Sequence, residues 1–499
     1  MPPPLILHGG DIWTLARPPR PCRVAALLVR DGRIAAAGSA AEVRAAAGPR
    51  YDDLDLRGDT ILPAFVDPHL HLLAWAASRL AVDCSPSAAP SIPALLAAIA
   101  RRAAVTPPGQ WIRACGYRET ELAERRHPTR WELDAAAPRN PVRLDHASGH
   151  ATVLNSAAMH AVGLTTETEE PEGAEIGRRL TDGEPNGLLL EMGGWLDGRV
   201  PPLAESDLQQ GIAEVARTLL AAGIVAVQDL GARNDRQMLA TLRRFERADL
   251  LPVRVSAAIG YEAFLHGERP GTGRLVKLVI NDLGEKPLPP LERLTHACHA
   301  IAAAGCRIAV HCVTEAAVAH ALAAFAALPP HLRRRHPPHR LEHAAICPPA
   351  LAAEAARLGL CAVMNPVFIA TDGDRYVREV RPESLPWLHN PATLIAAGVP
   401  VAAASDAPVA TPDPLAGIAA MVRRQTPSGA TVPGLTTCLE YAVAAHTAFA
   451  ALAAGLRAGR LVPGSRADLV RLPRGWDQAE HCAARPRPRT MRAGEWWTG

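Results

Sequence analysis

Lysine is almost missing from this chain. Lys277 and Lys286 are the only two among 53 basic residues, and the other 51 are arginine. A chain so biased uses guanidinium wherever a plain positive charge suffices. A lysine inside a hydrophobic strand (LVKLVI, 275–280) therefore marks a place for an amine that can lose its proton and react. No Lys/Arg block is interleaved with aromatics and the net charge is only +3, so nucleic acid is not an expected partner. The short basic run PPHLRRRH at 329–336 reads as a solvated loop. No predominantly apolar, uncharged stretch reaches the ~18–20 residues of a membrane span. The longest, near 391–405 and 441–456, fall short, and the first contains Pro400. The start, MPPPLILHGGD, has neither a basic leader nor a long apolar core, so no signal peptide is expected. The ten cysteines include no CxxC pair and no regular spacing, which excludes a zinc ribbon or a disulfide framework and points to free thiols in a reducing cytoplasm.

What is present is length and alternation. At 499 residues, 48% hydrophobic and 21% charged, the chain can form a large enzyme core plus a satellite domain. Residues 5–60 read as short strands, with Asp31-Gly32 fitting a hairpin turn. From 61 onward, apolar runs alternate with Ala/Leu-rich helical patterns. The runs are 61–66, 223–229, 253–259, 275–280, 307–312, 340–344, 360–364 and 399–405, and helices are expected at 207–221, 290–304, 314–327, 348–358 and 389–398. Eight strands with helical connections predict an α/β fold, a parallel (β/α)8 TIM-like barrel over 61–456. The segment of about 78–205 is too long for a connection, so it reads as an inserted subdomain, including the ninth strand candidate 141–145. The tail from 457 returns to strand and turn chemistry. With residues 1–60 it would complete a composite β-sandwich, 1–60 plus 457–499.

The reactive residues fall at telling places on that pattern. ILPAFVDPHLHLLAW (61–75) ends a hydrophobic strand on His69 and His71. Lys277 lies in the fourth run, His311 ends the fifth, His343 ends the sixth and Asp406 follows the eighth. Barrel active sites sit at strand C-termini, so these six groups land on one face. Side chains one residue apart at a strand end point the same way, so both imidazoles can reach one ion. Each has a plainer reading alone: a strand-end histidine is often a hydrogen-bonded core residue, Lys277 could be an ion-pair or Schiff-base residue, and Asp406 in ASDAP could cap a turn. Six in this order favour a metal site.

Together these stretches resemble the amidohydrolase superfamily, and within it the YtcJ-like group that includes N-substituted formamide deformylase. The resemblance is carried by ILPAFVDPHLH, WELDAAAPRNPVRLDHASGHATVLNSAAM, GLLLE, GIVAVQD, VKLVIND, VHCVTEAAV, HRLEHAAI, AAASDAPVATPDPLAGI and GRLVPGSRADLV. It implies that His69, His71 and Asp406 hold one divalent ion and that His311 and His343 hold a second. Lys277 would bridge them as a carbamate (an N6-carboxylated lysine), which a guanidinium cannot form. Histidine and carboxylate donors suit Zn²⁺, and Mn²⁺, Fe²⁺ or Ni²⁺ accept the same set. Some members keep one metal, and the sequence does not separate the cases. The implied activity is hydrolysis of a C–N bond in a small amide, cyclic amide or N-acyl compound by an activated water, with Asp406 as the proton-transfer residue. The alternative is a heterocycle deaminase, for which Glu315, four residues after His311, would serve. A catalytically dead relative would be expected to lose ligands, and all six are here. The resemblance also suggests a homodimer.

Around the ligands, His150, Asn155, Glu191, Glu315, Asn365 and His389 are candidates for the substrate pocket, while Trp75 and Trp387 read more readily as core. Three departures from the group's pattern bear on substrate. Asn365-Pro366-Val367-Phe368 stands where QPxH is usual, HCVTEAA replaces HxxGDxA after the fifth strand, and Asn281-Asp282-Leu283-Gly284 replaces a DG after the fourth.

Overall fold

The computed structural model describes residues 3–271, 273–281, 287–478 and 486–498. The chain divides into two units, Met1–His71 with Ala216–Gly499, and Leu72–Val215.

Eight parallel strands organise the first unit: β1 (Phe65–Leu70), β2 (Ile224–Asp229), β3 (in two pieces, Arg254–Ala257 and Ile259–Gly260), β4 (Leu275–Val279), β5 (Arg307–Cys312), β6 (Arg340–His343), β7 (Cys361–Met364) and β8 (Val401–Ala403). They pair as a three-stranded sheet, β3-β2-β1, and a six-stranded sheet that starts at the second piece of β3 and runs β4-β5-β6-β7-β8. Every residue of β1, β2, β6, β7 and β8 is buried, as expected of parallel strands covered on both faces, and this is why they read as continuous apolar runs. Helices Leu291–Ala303, Glu315–Ala326, Pro349–Leu358 and Pro391–Ala396 follow β4, β5, β6 and β7 in turn. Thr314 caps the second of them, and Gly359, at φ +72°, ends the third. One helix that the sequence pattern did not suggest, Val367–Glu379, intervenes after β7. It carries Asp372, Gly373 and Asp374 in mid-helix, which blur its apolar periodicity. Beyond β8, Asp406 N–H donates to the His69 carbonyl (2.9 Å) and His71 N–H to that of Ala407 (2.8 Å). The end of β8 is thereby fastened to the end of β1.

Strands from both chain ends share one further sheet of this unit. Its order is Glu495–Trp496, Arg489–Arg492, Leu469–Leu472, Thr60–Pro63, Leu5–Trp13, Arg23–Arg30, Arg33–Gly38, with Asp52–Asp55 also paired to Leu5–Trp13. Asp31 and Gly32 both have positive φ, as the tight turn between adjacent strands of one twist demands.

The second unit is built on a six-stranded sheet ordered Glu175–Arg178, Pro185–Leu190, Ala151–Leu154, Val142–His146, Ile112–Tyr117, Val82–Asp83. The run at 141–145 is one of its inner strands. The unit starts at Leu72, where helix Leu72–Leu80 follows directly on the HxH pair. No helix of the described residues is long and apolar enough to cross a membrane. The nine described cysteines are all free thiols.

A buried histidine away from the site gives a test of this core. His339 is fully buried, its Nδ1 accepts from Ile308 N–H (3.0 Å) and its Nε2 lies 2.9 Å from the Leu332 carbonyl. Burial pushes its pKa down to about 4, against a weaker upward pull from the Leu332 carbonyl. Below the ordinary histidine pKa near 6.5 the unfolded chain takes up a proton that the folded one refuses. Its contribution is therefore complete above pH ~6.5 and lost as pH falls toward 4. At pH 5 the loss amounts to about 2 kcal/mol. Thermal melts of His339→Gln should accordingly fall less between pH 7 and 5 than those of the wild type. Equal falls would assign the acid sensitivity elsewhere.

Candidate metal centre

The ends of β1, β6 and β8 bring three buried donors together. One ligand atom each of His69, His343 and Asp406 lies within 4.8 Å of the others. Asp406 Oδ1 is 3.4 Å from His69 Nε2 and 3.1 Å from His71 Nε2, and His71 is the more exposed of the two imidazoles. The His311 ring, at the end of β5, lies edge-on to His343 with centroids 4.5 Å apart. Lys277, buried in β4, is within electrostatic reach of both Glu342 and Asp406. His343 and Asp406 are held at φ +67° and +60°, conformations that cost non-glycine residues of order 1–3 kcal/mol and recur at functional sites.

Two features of these atoms fit a divalent cation. First, His343 Nε2 and Asp406 Oδ1 are buried without a hydrogen-bond partner, and the contact of Oδ1 with His71 Nε2, at 3.1 Å, is an ion-pair one only if His71 is protonated. Buried polar atoms left unmatched are rare and costly, and a bound ion satisfies both. Second, the protonation states are those of ligands. Burial, with Lys277 adding to it, holds His69 well below the usual histidine range, and burial lowers His343 from its ordinary value, so both present lone pairs at neutral pH. Burial alone would raise the Asp406 carboxyl, but the His69, His71 and His343 imidazoles outweigh it and hold it below its ordinary value. Asp67, by contrast, is pushed up to about 7 by burial, although it accepts the N–H groups of His69 and Ser405. Nitrogen and oxygen donors of this kind suit Zn²⁺ and its first-row neighbours.

Behind the donors lies a layer that the sequence pattern did not single out. Glu342 Oε2 is 2.7 Å from His69 Nδ1 and is itself gripped by Arg340. The signal was present in RLEH: two opposite charges two residues apart within an apolar strand must share a face and find partners. Asn365, expected in the substrate pocket, instead stands behind His343, its Oδ1 2.7 Å from Nδ1 and its amide donating to the Ala404 carbonyl (3.3 Å).

Of the remaining candidates, His389 lies within electrostatic reach of both His343 and Asp406. Glu315 is exposed in the first turn of helix Glu315–Ala326, where a carboxylate complements the helix dipole, and is not among the clustered donors. His389 is buried with φ +41°, its ring 5.2 Å from that of Phe368 and 5.4 Å from that of Tyr376, and burial pushes it down to about 3. Trp75 is buried in helix Leu72–Leu80 and Trp387 is half-buried. Asp282, Leu283 and Gly284 lie outside the described residues.

In the second unit His150 Nδ1 and Glu191 Oε1 meet at 2.6 Å, with Glu191 at φ +55°. Asn155 corrects the pocket expectation. Its Oδ1 accepts from Val142 (2.8 Å) and Ala158 (2.9 Å), and its amide donates to the carbonyls of Asn140 (2.9 Å) and Ala137 (3.4 Å). All four of its hydrogen-bonding positions are engaged by backbone, leaving none for a ligand. It caps helix Ser156–Val162, so Asn155→Ala should lower stability by about 1–2 kcal/mol without changing KM. Denaturant melts and steady-state kinetics on the same preparation check this, and a raised KM with unchanged stability would return Asn155 to the pocket.

The parallel strands, the strand-end histidines and the unmatched aspartate describe a metal-dependent hydrolase. A sequence profile of the amidohydrolase family matches residues 54–494, and the chain belongs to that family. It is 31% identical, over 90% of its own length and 90% of the relative's, to the N-substituted formamide deformylase of Arthrobacter pascens. It is 28% identical over 84% of each chain to YtcJ of Bacillus subtilis, which is named as an amidohydrolase. In fold it resembles an uncharacterised metal-dependent hydrolase from Pyrococcus horikoshii, with a TM-score of 0.71, 23% identity and coverage of 94% and 97% of the two chains. The protein is a hydrolase of carbon–nitrogen bonds other than peptide bonds.

Proposed function

We propose that this hydrolase cleaves the C–N bond of a small N-acyl, amide or cyclic amide compound at a centre formed by His69, His71, Lys277, His311, His343 and Asp406. The observation that carries the reading is the pair of buried, unmatched ligand atoms, His343 Nε2 and Asp406 Oδ1, beside a neutral His69. We assign Zn²⁺ as the resident ion. When bound, such an ion lowers the pKa of a water to roughly 7 and polarises a carbonyl oxygen. Asp406, whose carboxyl titrates below its ordinary value and is a carboxylate at neutral pH, takes the proton of the attacking water and returns it to the leaving nitrogen. Lys277 has its amine pushed below the ordinary lysine value by burial, against the pull of Glu342 and Asp406. A neutral amine can add carbon dioxide and lose a proton to become the bridging carbamate. This would explain a lysine in a chain that otherwise uses arginine.

In this reading the two parallel sheets are arcs of a (β/α)8 barrel over 61–456. The broken β3 would span one junction, and the Asp406–His69 backbone bond the other. The chain ends, 1–60 and 457–499, would form a composite β domain, and the second unit an insert. The free thiols suit a cytoplasmic setting.

The test is a panel of N-formyl and N-acetyl amines, lactams and amino-heterocycles. Product carboxylate and amine are quantified by chromatography and ammonia by coupled assay. Carboxylate with a primary amine supports the proposal. Ammonia from a heterocycle, with no amide cleaved, would replace it with the deaminase reading.

A further inference from the structure

The pair Arg340–Glu342 is fully buried, with both side chains at 0% exposure. A buried ion pair is a poor source of stability, since the cost of removing both charges from water offsets their attraction and an apolar pair often does as well. The arrangement around it shows what it does instead. All five guanidinium N–H positions of Arg340 are engaged: Nε to Glu342 Oε1 (2.6 Å), one Nη to Glu342 Oε2 (2.8 Å) and the Pro68 carbonyl (3.1 Å), the other to the Ala453 carbonyl (3.0 Å) and Gln228 Oε1. Gln228 is in turn fixed by donating to the Ala454 carbonyl (3.1 Å). The one position of Glu342 turned toward the site is the Oε2 that meets His69 Nδ1 at 2.7 Å. Arg340 therefore grips the His69 neighbourhood twice, through the adjoining Pro68 carbonyl and through Glu342.

We infer that Glu342, locked by Arg340 and Gln228, is the positioning residue that keeps the His69 proton on Nδ1 and aims the Nε2 lone pair at the ion. His69 is thereby the dominant anchor of the centre. The inference rests on the metal-centre reading above. A carboxylate behind a ligating imidazole fixes its tautomer and orientation and makes it a stronger donor. His343 has the same geometry, but its partner is the neutral carboxamide of Asn365. The two buried imidazoles are thus unequal by construction, one backed by a charge and one by a dipole. Four stretches of the chain (around 67–69, 228, 340–342 and 453–454) meet in this network.

The experiment is the zinc dissociation constant, by chelator competition, for wild type, Glu342→Gln and the double variant Arg340→Met/Glu342→Gln, with melts of each metal-free protein. Glu342→Gln keeps the shape and removes the charge, and zinc affinity is expected to fall about 10–100-fold. It also leaves Arg340 a buried, uncompensated cation and so destabilises the metal-free protein. The double variant removes both charges and should melt above Glu342→Gln, short of the wild type by the cost of leaving the Pro68 and Ala453 carbonyls and Gln228 Oε1 without their donor, while still binding zinc about 10–100-fold more weakly. That split between partly restored stability and lost affinity is one that a merely structural role would not produce. Wild-type zinc affinity in the folded double variant overturns the inference. Failure of the wild type to bind zinc overturns the metal-centre reading instead.

Discussion

Asp406→Asn, in preparations matched to the wild type for metal content, is expected to fold normally, melt near the wild-type temperature and lose about 10²–10⁴-fold in kcat. Asp406 sits at φ +60°, a conformation that asparagine enters as readily as aspartate, so the substitution leaves the backbone unstrained where alanine would not. The carboxamide keeps the shape and one carbonyl oxygen. It loses the negative charge that the surrounding imidazoles stabilise and the ability to take a proton from water. The effect therefore reports on chemistry. Kinetics on the best substrate of the panel, with circular dichroism of the same preparation, would show it. A kcat within tenfold of wild type would remove Asp406 from the proton-transfer role.

Removal of the ion is the second large effect. Dialysis against a strong chelator should abolish turnover and lower Tm, and Zn²⁺ should restore both. A ligand at a hundredfold its dissociation constant contributes about 2.7 kcal/mol of stability, which for a domain of this size is a Tm shift of a few degrees. The structural reason is local. With the ion gone, His343 Nε2 and Asp406 Oδ1 are left buried and unmatched, and the positive-φ backbone at 343 and 406 is no longer held by a ligand on their side chains. Chelation that stopped turnover but left the melt unchanged would place the ion outside this cluster.

The strands and the donor residues were legible because their signals are one-dimensional. A buried parallel strand is a run of apolar residues, and each clustered donor is a histidine or aspartate at or just beyond the end of such a run, as at His69, His343 and Asp406. The network behind them was harder to read because it depends on contacts between distant parts of the chain. Gln228, Arg340 and Glu342 look like interruptions of apolar strands until the fold brings strands of two different sheets together. The reverse error occurred at Asn155 and Asn365. Asn155 lay in a stretch resembling the family and Asn365 in one that departs from it, but the hydrogen bonds show the first capping a helix and the second backing His343. Glu315 misled for a similar reason: its spacing from His311 suggested proximity, while the helix that begins there turns it to solvent.

The most direct test is metal per chain, by elemental analysis of protein purified without chelator, for wild type and Lys277→Ala. The account predicts at least one divalent ion per chain in the wild type; about two, with loss in the variant, mark a carbamate-bridged pair, and one, unchanged in the variant, removes the bridge. A wild-type protein that hydrolyses its substrate while carrying no divalent metal would contradict it.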